Sequence, residues 1–289
     1  MLMKVLYLYS DKTGIAKSER KVNKLNDKLK EIYPDIVIKK TESLDDFKQS
    51  ILNSVGIFDI VIVAGGDGTA KIAVTVLMSI EKDKRPVLGY IPTGTVNDAG
   101  KAVGIKGSIR QALKVLKKGY VDTVDICKVN NEYFTFVCAA GAFSDISYVV
   151  KRGSKKILGR LAYYFYALSQ IFKRRTIEFE IETKNEKFSG KTPFILVMNS
   201  RNVGGFPVNF DFSVKDGVVE VYITKPGLFN GLLHYAFFKV KTTKLKVDWI
   251  KITLKNDEYW CFDGEKGDKK SVEIQVLKQE IKVIGKAAK

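Results

Sequence analysis

The chain has 289 residues, 45% of them hydrophobic, and a formal net charge of +17 at pH 7. Its length suits two domains, and its hydrophobic content argues against a disordered chain. The single histidine argues against a His-based zinc site or a Ser-His-Asp triad, and three separated cysteines are typical of a reducing compartment.

Predicted strands and helices alternate along the first part of the chain. Apolar runs predict the strands, and apolar residues at helical spacing predict the helices. The predicted strands cover residues 5–9, 36–38, 59–64 and 87–91, and the predicted helices cover residues 15–32, 44–55, 69–80 and 108–118. Repeated strand–helix units indicate a Rossmann-like α/β domain with a mostly parallel sheet over residues 1–121.

The pattern changes after Val121. Short runs, often alternating and rich in β-branched residues, are separated by polar turns, which is typical of antiparallel strands. The predicted strands cover residues 123–129, 133–138, 176–182, 194–199, 218–223, 246–254 and 272–276, and one helix is predicted at 157–172. Residues 122–289 are therefore predicted to form an antiparallel β-sandwich domain, with a ligand cleft between the two domains.

The most informative segment is Gly65-Gly66-Asp67-Gly68-Thr69, which lies where an apolar strand turns into a helix. Glycines let the backbone approach a ligand closely, and the N–H groups of a helix N-terminus attract anions. Asp67 is suited to hold Mg²⁺ against phosphates, directly or through water. The alternative is a tight turn in which Gly and Asp serve only the backbone conformation.

A second loop of the same character, Pro92-Thr93-Gly94-Thr95-Val96-Asn97-Asp98, follows the next predicted strand. The carboxyl ends of parallel strands lie at one edge of the sheet, where open α/β sheets bind ligands. The chain has no Walker P-loop, and Lys71 stands where a dinucleotide fingerprint has its third glycine. These two loops predict a phosphate site of another type.

The ordered motifs at 65–69, 92–98, 204–206, 216–217 and 263–265 carry a family resemblance. The sequence resembles the diacylglycerol kinase catalytic-domain family, in its bacterial soluble lipid kinase branch. The G-G-D-G-T string also occurs in NAD kinases and phosphofructokinase-like folds, whereas G-T-x-N-D is more particular to lipid kinases. The motifs extend over nearly the whole chain.

The resemblance implies a role for each matching position. Glu265 would be the catalytic base that accepts the proton of the lipid hydroxyl, with Asp263 beside it. Asp216 would hold a structural Mg²⁺, with the backbone near Ser213 and Val218 contributing. Residues implied for the ATP site are Thr13, Gly14, Thr41, Gly65, Gly66, Asp67, Gly68, Thr69, Thr93, Gly94, Thr95, Asn97 and Asp98. From turn chemistry alone, Asp263-Gly264 and Asp216-Gly217 are equally typical of hairpin turns.

The chain departs from the family pattern in three places. Ser10-Asp11 replaces the usual Asn-Pro pair, Lys71-Ile72 replaces Asn-Glu, and Ala99 stands where the family often has an aromatic residue. A lysine in place of an uncharged residue beside the phosphates, together with the loss of the glutamate, predicts altered nucleotide affinity or lost activity.

Three functions are therefore weighed. The first is an ATP-dependent lipid kinase that phosphorylates the hydroxyl of diacylglycerol or a similar lipid. The second is a kinase of a soluble substrate, as in NAD kinases, against which Asn97-Asp98 argues. The third is a non-catalytic protein that binds nucleotide or anionic lipid, against which the presence of Asp67, Asp98 and Glu265 together argues.

The positive charge predicts an anionic partner. The basic residues are scattered and accompany no nucleic-acid-binding motif, so we expect no nucleic acid and favour an anionic membrane surface that contains the lipid substrate. No signal peptide and no membrane-spanning apolar stretch are recognised, which predicts a cytoplasmic protein associated peripherally with membranes. Edge strands of the β domain would allow a homodimer.

Overall fold

The computed structural model describes residues 3–11, 13–14, 16, 18–94, 96–102, 105, 107–141, 176–203, 206–207, 213–224, 242–255, 258–263, 265–269 and 271–286. The helices are α1 (Glu19–Ile32), α2 (Leu44–Leu52), α3 (Asp67–Met78), α4 (Asp98–Ala102) and α5 (Ile109–Lys118). The strands of the first half are β1 (Val5–Ser10), β2 (Ile36–Thr41), β3 (Ile60–Gly65), β4 (Val87–Pro92), β5 (Val121–Val129), β6 (Glu132–Phe134) and β7 (Val137–Gly141).

The remaining strands follow Thr176. They are β8 (Ile177–Thr183), β9 (Lys187–Thr192), β10 (Phe194–Met198), β11 (Asn202–Val203), β12 (Phe206–Pro207), β13 (Val219–Thr224), β14 (Thr242–Val247), β15 (Trp249–Leu254), β16 (Tyr259–Phe262), β17 (Glu265–Lys269) and β18 (Ser271–Ile284). The helix predicted at 157–172 lies outside the described residues. Within the described residues, no helix is long and apolar enough to cross a membrane.

The first half of the chain forms the predicted parallel sheet, in the order β2-β1-β3-β4. Every residue of β3 is buried, as expected of a central strand covered on both faces. Helices α1 and α5 pack together, and so do α2 and α3. Helix α1 buries Val22, Leu25 and Leu29, which are spaced to lie along one face of a helix. The α/β prediction is confirmed.

The second half forms the predicted antiparallel structure. One sheet has the strand order β14-β13-β10-β7-β16-β17. Strands β15, β8 and β9 instead extend the parallel sheet, because β18 joins them to it. Buried side chains from both groups of strands, among them Ile195, Val221, Ile252 and Trp260, form one core between them.

Strand β18 is longer than predicted and connects both halves of the fold. It pairs in parallel with β4 at Val283 and Leu88, and antiparallel with β5 and β15. Its pairing with β5 shifts register between Leu277 and Ile281, and Gln279 there has a left-handed φ of 51°. This bulge lets one strand follow two differently oriented partners.

Two predicted strands are each divided in the structure. The run at 133–138 becomes β6 and β7, because the backbone N–H groups of Thr135, Phe136 and Val137 all bind the Asp263 carboxylate rather than a neighbouring strand. The run at 246–254 divides at Asp248, where the chain leaves β14 of one sheet and enters β15 of the other. Both single-strand predictions are therefore wrong.

The β18 bulge is held by an ion-pair network on Glu280. Its carboxylate accepts hydrogen bonds from Lys82 Nζ at 2.9 Å and from Arg85 Nη1 at 2.8 Å. Burial raises the pKa of Glu280, but the hydrogen bonds from Lys82 and Arg85 lower it more. The pKa of Glu280 in the folded protein therefore lies below its ordinary value of 4.5. The stability that this carboxylate supplies is present above pH 4.5 and is lost as the pH falls through the folded-state pKa.

Replacing Glu280 by Gln should therefore reduce stability in a pH-dependent way. At pH 7 we expect a loss of about 1 kcal/mol in the free energy of unfolding, because two charged donors lose a charged acceptor. The difference in the free energy of unfolding between wild type and variant should narrow as the pH is lowered below 4.5, the ordinary pKa of a glutamate and the value taken for the unfolded chain. Urea unfolding at several pH values would measure it, with Glu81→Gln in the exposed pair with Lys84 as control. A pH-independent difference would contradict this origin.

Candidate active site

Three loops meet at the carboxyl edge of the parallel sheet. A Cβ built on Gly14 would lie 2.5 Å from Thr93 O, and one built on Gly94 would lie 2.5 Å from Gly66 Cα. Such distances leave no room for a side chain, so glycine is required for this approach. The loops after β1, β3 and β4 are thus in direct backbone contact.

The loop after β3 ends in a helix without a side-chain cap. Gly66 is the N-cap of α3 and offers no side-chain hydrogen bond, whereas Ser43 and Ser108 cap α2 and α5. The first N–H groups of a helix have no partner within it and carry partial positive charge. A Cβ built on Gly68 would meet no atom within 4 Å, so the helix end is open on that side. This arrangement suits an anion.

The loop after β4 is held by Asn97, which has a left-handed φ of 56°. Its Oδ1 accepts a hydrogen bond from Gly94 N at 2.9 Å, and its Nδ2 donates to Gly94 O at 2.8 Å. Tyr90 Oη donates to Gly65 O at 2.9 Å and lies 3.3 Å from Asn97 Oδ1. Asparagine tolerates this backbone conformation, and its amide can bind both the N–H and the C=O group of one residue.

Asp67 joins the same two loops through its carboxylate. Oδ2 accepts a hydrogen bond from Asn97 N and Oδ1 from Ala99 N, both at 2.9 Å. Burial raises the pKa of Asp67, with the neighbouring Asp98 adding to the effect and the two N–H groups opposing it. Each carboxylate oxygen has a second lone pair, which leaves both able to bind a further group.

Several other polar side chains of the described residues around these loops are bound locally. Thr13 Oγ1 donates to Ser10 O at 2.7 Å, and Thr41 Oγ1 donates to Tyr9 O at 3.2 Å. Lys101 pairs with the buried Asp98 at 2.6 Å. The hydroxyl of Thr93 is buried and lacks a hydrogen-bond partner among the described residues. A buried hydroxyl in this state could form a hydrogen bond with a ligand.

The Asp263 turn lies on the β-rich side of the structure. Strands β16 and β17 pair antiparallel with Phe262 opposite Glu265, and Asp263 has a left-handed φ of 49°, so this is a tight hairpin. Asp263 Oδ2 accepts from Thr135 N at 2.7 Å and Thr135 Oγ1 at 3.1 Å. Its Oδ1 accepts from Phe136 N and Val137 N, both at 3.0 Å.

These four bonds fix the start of β17, where Glu265 stands. Glu265 opens that strand two residues after Asp263, while Gly264 and the side chain of Glu265 lie outside the described residues. Thr95 and the glycines of the motif at 204–206 also lie outside them.

The loop before β13 contains the residues predicted to hold a metal. Val218 N donates to the exposed Asp216 Oδ1 at 3.4 Å, and Lys215 N donates to Ser213 Oγ at 3.3 Å. The adjacent Gly217 N donates to Asp125 Oδ2 at 2.7 Å. Among the residues that the structure describes, no cluster of three or more His, Cys, Asp or Glu side chains could hold a metal.

Comparison with known proteins gives the family of this chain. The family profile described as the diacylglycerol kinase catalytic domain matches residues 4–129. Diacylglycerol kinase from Bacillus subtilis (strain 168) is 31% identical over 237 residues, which cover 78% of this chain and 78% of that protein. The chain belongs to the diacylglycerol kinase family.

Further similarity to diacylglycerol kinases extends over more of the chain. Diacylglycerol kinase from Staphylococcus saprophyticus is 30% identical over 275 residues, which cover 88% of this chain and 90% of that protein. A solved structure of a diacylglycerol kinase from Bacillus anthracis shares the fold, with a TM-score of 0.79 at 24% identity, covering 98% and 97% of the two chains. As a diacylglycerol kinase family member, the chain is a lipid kinase, and the family implies ATP as the phosphate donor.

Sequence reasoning missed three residues that shape this diacylglycerol kinase site. Tyr90 ties the two phosphate-type loops together, and Thr135 binds Asp263. Asp125 is buried in β5 and accepts hydrogen bonds from Gly217 N and from Gln279 N. A signal for Asp125 was present, because a carboxylate in an apolar strand must be paired. Tyr90 and Thr135 gave no such signal.

Replacing Gly94 by Ala should impair the kinase. The new Cβ would lie 2.5 Å from Gly66 Cα and 2.8 Å from Asn97 Oδ1, so the two loops must separate. We expect KM for ATP to rise about tenfold and kcat to fall, because a small displacement of a positioning loop is costly. Gly190→Ala in β9, where the Cβ would meet only the Phe179 ring at 3.1 Å, is the control. Unchanged kinetics for Gly94→Ala would contradict the assignment of this contact to the ATP site.

Proposed function

We propose that the chain transfers the γ-phosphoryl group of ATP to the free hydroxyl of diacylglycerol or a similar lipid. One observation carries this proposal. Backbone contacts that only glycine permits bring three loops together beside the uncapped N-terminus of α3. Phosphoryl transfer depends on positioning and charge neutralisation rather than on a reactive side chain. The three loops and the N-terminus of α3 would supply the positioning.

The nucleotide would lie on these loops. Gly66 and Gly68 would present backbone N–H groups to the phosphates, which a helix N-terminus attracts, while Gly65 and Thr69 pack closely against each other in the same turn. Thr93 supports this placement, because its buried hydroxyl has no partner in the described part of the chain and a ligand would give it one. The other members of the proposed ATP site are Thr13, Gly14, Thr41, Gly94, Thr95, Asn97 and Asp98.

Glu265 is proposed as the general base. A lipid alcohol is a weak nucleophile, so a carboxylate within hydrogen-bond reach of its proton is the expected catalytic group. The hairpin supports this role, since four hydrogen bonds to Asp263 fix the backbone two residues before Glu265. Asp263 itself would act as a positioning residue, because its carboxylate already binds its own domain.

Mg²⁺ is proposed at two places. Asp67 would hold the ion through water beside the phosphates, since both of its oxygens accept backbone N–H groups but keep a free lone pair. The exposed carboxylate of Asp216, with backbone oxygens of Ser213 and Val218, offers the oxygen donors that Mg²⁺ prefers. The ion beside the phosphates would neutralise charge that develops on them.

We also propose that the protein works at an anionic membrane surface and forms a homodimer. The net charge of +17 supports the first, because anionic lipids attract basic proteins. Strand β14 supports the second, because its only partner among the described strands is β13, which leaves an edge. Co-sedimentation with vesicles and light scattering would test these two proposals separately.

The decisive experiment is transfer of labelled phosphate from ATP with Mg²⁺ to a panel of acceptors. The panel contains diacylglycerol, monoacylglycerol, a sphingoid base and a polyprenol in mixed micelles, together with NAD and a blank without lipid. Labelled phosphatidic acid is the expected product. Labelled NADP in its place, or no transfer to any acceptor despite ATP binding, would refute the proposal.

A further inference from the structure

Tyr90 lies between the two phosphate-type loops without belonging to either motif. It is part of β4 and is only 5% exposed. Its Oη donates a hydrogen bond to Gly65 O, at the end of β3, over 2.9 Å. The same oxygen lies 3.3 Å from Asn97 Oδ1, in the loop after β4. One hydroxyl therefore contacts both loops.

Each partner of this hydroxyl has further bonds within the site. Gly65 O also accepts a hydrogen bond from Thr93 N at 2.8 Å, so both of its lone pairs are engaged. Asn97 Oδ1 accepts from Gly94 N at 2.9 Å, and Asn97 N donates to Asp67 Oδ2 at 2.9 Å. The phenol of Tyr90 is thus one residue away from the carboxylate that is proposed to hold Mg²⁺.

The ring of Tyr90 packs against one helix and borders a cavity on another side. A Cβ built on Gly100 would lie 3.0 Å from Tyr90 Cε1, so the ring contacts α4 directly. Tyr90 and Ala99 also line a cavity of about 60 Å³, which leaves part of the ring without packing. Because packing does not enclose the ring, the contacts of its hydroxyl determine where its far end lies.

We propose that Tyr90 is a positioning residue for phosphoryl transfer, whose hydroxyl holds the loops after β3 and β4 in one fixed arrangement. The inference rests on the proposed function, in which these loops bind the phosphates and Asp67 holds Mg²⁺ beside them. Transfer requires the phosphoryl group to be aligned with its acceptor, and a small displacement of a positioning loop is costly. Loss of the hydroxyl should therefore affect the nucleotide side of the reaction and leave lipid binding unchanged.

The test is Tyr90→Phe, which removes only the hydroxyl and keeps the ring against α4. Tyr33→Phe is the matched control, because Tyr33 Oη is also buried and donates to a backbone carbonyl, Leu116 O, at 3.0 Å. Tyr33 lies shortly before β2, and therefore at the opposite edge of the parallel sheet from the loops. We expect both variants to lose similar amounts of thermal stability, since each loses one buried hydrogen bond.

The kinetics should separate the two variants. For Tyr90→Phe we expect KM for ATP to rise about fivefold and kcat to fall about tenfold, with KM for the lipid unchanged. Tyr33→Phe should match the wild type in all three values. Equal kinetics for the two variants would overturn the inference, because the Tyr90 hydroxyl would then serve stability alone. A rise in KM for the lipid as large as that for ATP would overturn it as well.

Hydrogen exchange gives a readout that does not depend on activity. The amides of Asn97 and Ala99, which bind Asp67, should exchange about tenfold faster in Tyr90→Phe and at the wild-type rate in Tyr33→Phe. Unchanged exchange in Tyr90→Phe contradicts the inference. Faster exchange and weaker ATP binding in a protein that phosphorylates no lipid would support the inference while refuting the proposed function.

Discussion

Replacing Glu265 by Gln is expected to lower kcat for lipid phosphorylation about 10³-fold, within the range by which general bases accelerate reactions. Gln has nearly the same size but cannot accept the hydroxyl proton. Binding of ATP should be unaffected, because the nucleotide is proposed to lie on the loops after β1, β3 and β4. Steady-state kinetics with labelled ATP and diacylglycerol micelles would measure kcat and both KM values.

Glu182→Gln serves as the control for this substitution. Glu182 lies on β8 in an exposed pair with Lys187, away from the three loops, so the same chemical change should leave kcat at the wild-type value. The thermal midpoint of Glu265→Gln should also equal that of the wild type. A Glu265→Gln protein that keeps wild-type kcat would show that another group accepts the proton.

Replacing Asp263 by Asn should destabilise the protein more than Glu280→Gln does. The carboxylate accepts four hydrogen bonds, and the amide nitrogen of Asn can accept none of them. Buried N–H groups would then lose their acceptor, at about 1–3 kcal/mol each. We expect a loss of about 3 kcal/mol in the free energy of unfolding and a marked fall in kcat, because the turn before Glu265 loosens.

Urea unfolding of Asp263→Asn beside Asp248→Asn would separate this effect from a general loss of charge. Asp248 pairs with Lys184 at 2.5 Å, but both side chains are largely exposed, so its replacement should cost less than about 1 kcal/mol. Equal losses for the two variants would mean that the four hydrogen bonds of Asp263 contribute little. Hydrogen exchange at residues 135–137 would locate the change.

The parallel half of the fold could be predicted because its pattern is local. Strand β3 is apolar throughout and ends at Gly65, and Gly66 follows directly as the N-cap of α3. Helix α5 begins after Ser108, which caps Gln111 N at 3.2 Å, and ends at Gly119, whose φ is 63°. Propensity, capping and periodicity agree in these segments, and prediction is reliable where they do.

The errors arose where distant residues decide the local structure. Nothing near Thr135 in the sequence shows that its N–H will bind Asp263, which lies far along the chain. The extension of β18 to Ile284 was missed, although Ile281 and Val283 continue the alternation beyond Gln279. A bulge breaks the period of two, so a search for strict alternation stops too early.

The sequence predicts which residues meet in the candidate site, but not the hydrogen bonds between them. The motifs placed Asp67, Asn97 and Asp98 at one edge, and the structure brings them together. That Asp67 binds the backbone of the neighbouring loop depends on the left-handed conformation of Asn97. Such contacts follow from the packing of two loops, which a linear pattern does not contain.

Strand β18 also has a consequence for biosynthesis. It stands in the middle of the larger sheet, between β4 and β15, although β4 ends at Pro92 and β18 begins only at Ser271. During synthesis β4 is therefore made long before β18, and in the interval one edge of β4 lacks its native partner. Native assembly of this sheet waits until β18 has left the ribosome, and during that time the edge of β4 is a place where aggregation can begin.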